Sequence, residues 1–186
     1  MLKPKTKGLF LDVSEFSILA ARTSGYKLPM VIEEIAEFPM REDCRPEEVH
    51  AFLGQLVDFK GASYYVSRCG AYPENRFLRY FEAESVNKLK DPAYLSSVLQ
   101  SEFNVDPSSN SVSVLDARDG SDFDMEKGLT KQLVFCGGPT EAFQQVQDQL
   151  LEYGVYPDRL ELSSATTLGG VCDYARLNKI ESPILC

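Results

Sequence analysis

The sequence has no apolar run approaching the roughly 20 residues that cross a bilayer, and its start lacks the charged, apolar and small-residue order of a secretory signal. Positive charge is scarce: 19 Lys and Arg stand against 28 Asp and Glu, a formal net charge of -9. Phosphate backbones are held by clustered cations, so this balance argues against a nucleic-acid partner. Lys3, Lys5 and Lys7 read as a solvated tail rather than a nuclear or lipid signal. Histidine occurs once, at His50, with no Cys or Asp at ligand spacing. Neither a metal site nor a Ser-His-Asp or Cys-His centre finds support there. The five cysteines are odd in number and show no CxxC spacing, which points to reduced thiols and a cytoplasmic protein. Cys136 and Cys172, set among apolar neighbours, read as buried thiols.

What is present suits a soluble globular chain: 186 residues, 44% hydrophobic and 25% charged, long enough to bury a real core. "GLFLDV" (8–13) is a short apolar run for a strand buried on both faces. "FSILAARTS" (16–24) follows after two residues, so the two pair as a hairpin, and "MVIEEIAEF" (30–38) adds a third strand. In "RPEEVHAFLGQLVDF" (45–59) the spacing of Val49, Phe52, Leu53, Leu56 and Val57 predicts an amphipathic helix, opened by Pro46, with Gly61 as its stop. "ASYYVSR" (62–68) is a strand again, placed parallel to the first by the crossover.

The middle of the chain reads as a small β-α-β-β insert. "RFLRYFEA" (76–83) is a strand or irregular edge, and Asp91 and Pro92 open a helix. "VSVLDA" (112–117) and "KQLVFC" (131–136) are strands, with a polar connector over 118–128 between them. A helix then starts at Pro139 and stops at Gly154, followed by a strand over 158–163 and a helix over 164–178. "SPILC" opens one more strand, and the chain stops at Cys186 with that strand barely begun, so a continuation is expected.

This order resembles the first half of an actin-like ATPase, and three stretches carry the likeness. "GLFLDVSEFSILAA" looks like the first phosphate-loop hairpin of that superfamily. Residues 76–117 resemble the inserted subdomain of PilM, the type IV pilus assembly protein. "LVFCGGPTEAFQQVQDQLLEYGVYPDRLELSSATTLGGVCDYA" resembles PilM's return to its main subdomain. The resemblance implies an α/β chain: an actin-like (ribonuclease H-like) half-domain with a mixed sheet, plus a small inserted α+β subdomain. The first part would span 1–75, the insert 76–136 and the return 137–186. It further implies a cytoplasmic scaffold, similar to FtsA and to the GspL cytoplasmic domain, peripheral to the inner membrane through a partner. That partner would be a PilN-like bitopic membrane protein whose cytoplasmic tail lies in a groove beside the insert. The family's second half, with another phosphate loop and an adenosine pocket, is not in this sequence, so ATP and Mg would belong to a longer protein. The alternatives are an ATP-hydrolysing enzyme and a nucleotide-free filament former.

Four candidate features remain to be weighed. In an actin-like ATPase the strand-end Asp organises metal and water, and Asp12 matches it. Ser14 stands where a glycine is expected, Glu15 would repel phosphate, and only the hydroxyls of Ser14 and Ser17 remain as donors. A plain hairpin turn with Asp12 capping or solvating it is the favoured reading, and a phosphate site at Asp12, Ser14 and Ser17 the alternative. Arg79, among Arg76, Phe77, Tyr80 and Phe81, matches an arginine of PilM-like sequences and either pairs with a carboxylate or borders the partner groove. Gly137 and Gly138 are read as a tight strand-to-helix turn without the lysine of a P-loop. Asp116, Asp119, Asp122 and Asp124 are read as a solvated acidic loop rather than a calcium site.

Overall fold

The computed structural model describes residues 7–27, 30–57, 65–126 and 130–180. They form two units, the first made of the residues up to 72 with 144–163, the second of 73–143 with those from 164 on.

In the first unit, β1 (Lys7–Val13), β2 (Ser17–Thr23), β3 (Ile32–Pro39), β4 (Tyr65–Ala71) and β8 (Arg159–Leu162) form one sheet in the order β3-β2-β1-β4-β8. β2 is antiparallel to both β1 and β3, whereas β4 runs parallel to β1 and to β8. The period-2 alternation of β1 sends Leu9, Leu11 and Val13 to one face, joined there by Ile18 and Ala20 of β2. Val49, Leu53 and Leu56 of α1 (Pro46–Leu56) and Leu150 of α3 (Thr140–Glu152) belong to the same core. Helix α1 has Pro46 in its first turn and no side-chain N-cap, and Glu47 and Glu48 supply negative charge at that end. Its C-terminus is satisfied from the sheet: Arg22 donates an Nη1–H to the Leu56 carbonyl at 2.7 Å. Val57 is already extended, so the helix stops before the predicted end, and Gly61 lies outside the described residues. Gly154 closes α3 in the left-handed conformation (φ +80°), where glycine carries no Cβ penalty.

In the second unit, β5 (Phe77–Glu82), β6 (Asn110–Asp116) and β7 (Gln132–Pro139) form an antiparallel sheet in the order β5-β7-β6. Helix α2 (Pro92–Phe103) contributes Val98 and Leu99 to a core with Phe77, Leu133 and Phe135. Phe81, Phe103 and Phe135 meet edge to face at centroid separations of 5.6 to 6.3 Å. The Asp91 carboxylate accepts the Ala93 N–H at 2.9 Å at the start of α2, and Asn104 ends it at φ 54°. Residues 77–82 are thus a regular strand, not an irregular edge. Helix α4 (Ser163–Leu177) follows β8 directly. The strand expected over 182–186 lies outside the described residues.

Two sequence expectations are corrected. Gly137 and Gly138 lie within β7, which passes into α3 with no intervening turn. A Cβ on Gly137 would overlap the Ser111 carbonyl of the neighbouring β6, so close approach of two strands, not a turn, requires glycine there. Cys172 is exposed on α4, whereas Cys136 is buried as expected.

Candidate functional site

The parallel strands β1, β4 and β8 end on the same side of the sheet, the place where open α/β sheets bind ligands. Asp12, next to last in β1, shares with Phe10 the face opposite α1 and α3 by simple alternation. Its register partner on β4 is Gly70, and Gly70 in turn pairs with Glu161 of β8. Tyr72, just past β4, donates its hydroxyl to Asp12 Oδ2 at 3.0 Å. Ser163, the residue after β8 and the first of α4, is fully buried and donates Oγ–H to Asp12 Oδ1. Three strand ends thus converge on one carboxylate. Gly70 makes the convergence possible, because a Cβ there would overlap the Ser163 hydroxyl and lie 3.0 Å from Asp12 Oδ1.

The β1–β2 turn closes on itself. Ser14 Oγ accepts the N–H groups of Ser17 (3.0 Å) and Phe16 (3.3 Å), and donates to the Ser17 carbonyl at 2.9 Å. The Ser14 N–H donates to the same carbonyl at 3.0 Å. The Phe16 and Ser17 amides are therefore directed at the Ser14 hydroxyl, and Glu15 sits exposed at the tip. Of the three residues expected together, Ser14 and Ser17 join each other in the turn. Asp12 belongs to a separate cluster with Tyr72, Gly70 and Ser163. Those three carried no local signal: they lie 60, 58 and 151 positions from Asp12, and only strand register brings them together.

Elsewhere the candidates find local partners. Arg79 is exposed on β5, at the edge of the second sheet, and donates to the Leu78 carbonyl at 3.1 Å. Tyr80 beside it is also exposed, whereas Phe77 and Phe81 turn into the core. His50, on α1, places Nδ1 3.0 Å from the Tyr153 carbonyl. Of the acidic run, Asp116 is the buried last residue of β6 rather than part of a solvated loop, and the Arg118 guanidinium reaches it at 2.6 Å and holds its carboxyl below the ordinary range. Asp119 accepts the Ser121 N–H, and Asp124 the Glu126 N–H. Among the described residues no group of His, Cys, Asp and Glu is arranged to hold a metal ion.

A mixed sheet in the order β3-β2-β1-β4-β8, with a small antiparallel unit entered after β4, defines the class: this is the actin-like ATPase fold. It is shared with a Bacteroides thetaiotaomicron protein of actin-like ATPase fold and unknown function, at TM-score 0.50 and 10% identity, over 95% of this chain and 61% of that one. Two assembly proteins are similar in the same way. The cytoplasmic domain of EpsL, an inner-membrane component of the Vibrio cholerae type II secretion system, aligns at TM-score 0.54 and 12% identity, over 84% of this chain and 57% of that one. A chain of the PilM-PilN type IV pilus biogenesis complex aligns at TM-score 0.56 and 13% identity, over 86% and 48%. The present chain thus spans about half to three fifths of the length of these neighbours. No protein-family model and no curated protein matches the sequence.

Proposed function

We propose that this chain is part of a scaffold in a pilus or secretion assembly platform, binding the cytoplasmic tail of a PilN-like bitopic membrane protein. The likeness of its fold to a chain of the PilM-PilN complex carries this reading. The exposed Arg79 and Tyr80 on β5 support it, being residue types that anchor interfaces when they are not spent on a core. In this reading the protein works in the cytoplasm and reaches the inner membrane through its partner. No helix among the described residues is long and apolar enough to cross a membrane.

The second reading is an ATPase, favoured by the place of Asp12 at the ends of parallel strands. The residues fit ATP and magnesium poorly. Ser14 fills the turn with its own hydroxyl, the Phe16 and Ser17 amides are bonded to it, and both oxygens of Asp12 accept hydroxyl hydrogen bonds. Titration of a labelled PilN-like tail peptide into the protein tests the first reading. Saturable binding, weakened about tenfold or more by Arg79→Glu and unchanged by Asp12→Asn, is the expected result. Saturable, magnesium-dependent ATP binding that Asp12→Ala abolishes, with no retention of the peptide, would replace it with the second.

A further inference from the structure

The first sheet ends at β3, and among the described residues no strand pairs with its outer side. Which backbone groups face outward follows from the ladder. The Met40 N–H donates to the Phe16 carbonyl at 2.8 Å, and the register continues as Ile18 with Phe38, Ala20 with Ala36 and Arg22 with Glu34. Antiparallel ladders alternate bonded and non-bonded pairs. Glu34, Ala36 and Phe38 therefore direct their amides and carbonyls to β2, and Ile35 and Glu37 direct theirs to the open side. Pro39 ends that row, since it has no N–H to offer.

The side chains of the same two residues share the sheet face away from the helical core. Ile35 is 57% exposed, and Leu19, paired with Glu37 on β2, is 43% exposed. The eight residues of β3 include Glu33, Glu34 and Glu37 and no cation. Arg22 reaches Glu33 and Glu34 in exposed ion pairs that a competing cation displaces at little cost. Glu37 has no ion pair among the described residues.

The geometry points to β3 as an acceptor edge for an extended basic segment of a partner protein, added as a sixth strand. Its backbone would meet the N–H and C=O of Ile35 and Glu37, an apolar side chain would cover Ile35, and Lys or Arg would stand against Glu34 and Glu37. Charge selects the partner. Two-fold pairing of β3 with its own copy, centred on Ile35, would set Glu33 against Glu37, and any such pairing brings three glutamates to three. β3 belongs to the first unit and Arg79 and Tyr80 to the second, so loss of tail binding in Arg79→Glu does not bear on it.

Amide hydrogen exchange on the whole chain tests it, with a capped Thr-Lys-Thr-Val-Lys-Thr peptide as probe and a version with both lysines changed to glutamate as control. The lysine peptide is expected to slow exchange at Ile35 and Glu37 at least tenfold, and the glutamate peptide to leave it unchanged. Glu37→Lys, with an unchanged melting temperature, should reverse the preference, and Ile35→Asn should reduce the protection several-fold. Equal protection by both peptides, protection confined to another edge, or none at saturating peptide overturns the proposal. So does protection of β3 that rises with protein concentration in the absence of peptide, because a second copy would then be the occupant.

Discussion

Asp12 accepts one hydroxyl from the end of β4 and another from the start of α4, and this makes it a tie between strand ends as much as a candidate ligand. Ser163→Ala leaves a part-buried carboxylate oxygen without its donor, and a loss of about 1–3 kcal/mol is expected in denaturant titration. Ser163→Ala and Asp12→Asn should be non-additive in the same titrations, since they share one bond. Gly70→Ala forces a methyl group between the same two side chains and should cost about 1–3 kcal/mol by overpacking. At this scale the Ser14 turn was legible, because a two-residue hairpin is a local pattern, whereas Asp12, expected to cap or solvate that turn, bonds Tyr72 and Ser163 instead. Tyr72, Gly70 and Ser163 were not, because nothing near them in sequence announces a neighbour on another strand.

Element ends were mostly written in local chemistry. Asp91 with Pro92 opens α2 and Gly154 closes α3 where the sequence placed them, since caps act on the adjacent backbone alone. Asp91→Ala should therefore lower stability by about 1 kcal/mol, read as a shifted denaturation midpoint with unchanged slope. Phe135 is fully buried at the centre of the small sheet, in ring contact with Phe81 and Phe103. Phe135→Ala should cost about 3–5 kcal/mol, with loss of near-ultraviolet aromatic signal as the check. Gly137 and Gly138 misled, because glycine serves both turns and close strand contacts, and only the position of Ser111 on β6 distinguishes them. Cys172 misled similarly: apolar neighbours in sequence need not share its side of a helix, and its face of α4 is exposed.

For the molecule as a whole, Cys69 supplies a pH signature of the first core. Burial, with Asp158 nearby, pushes its thiol from an ordinary value of 9.0 up to about 12. Above pH 9 the unfolded chain releases this proton while the folded chain keeps it. Stability should accordingly fall as pH rises from 9 toward 12, by up to about 1.4 kcal/mol per unit from this group. Urea titrations across that range check the slope, and Cys69→Ala should flatten it. In native protein a thiol reagent should modify exposed Cys172 quickly and buried Cys69 only after unfolding. The sequence by itself determined the periodicities, the helix starts, the hairpin and the order of elements that resembles an actin-like half-domain, because each depends on residues a few positions apart. Only the tertiary structure decided that β4 lies between β1 and β8, that Asp12 meets Tyr72 and Ser163, and that Ile35 and Glu37 face outward on an open edge. These follow from which apolar faces are buried together and from strand register, and both are set by contacts between residues far apart in the chain.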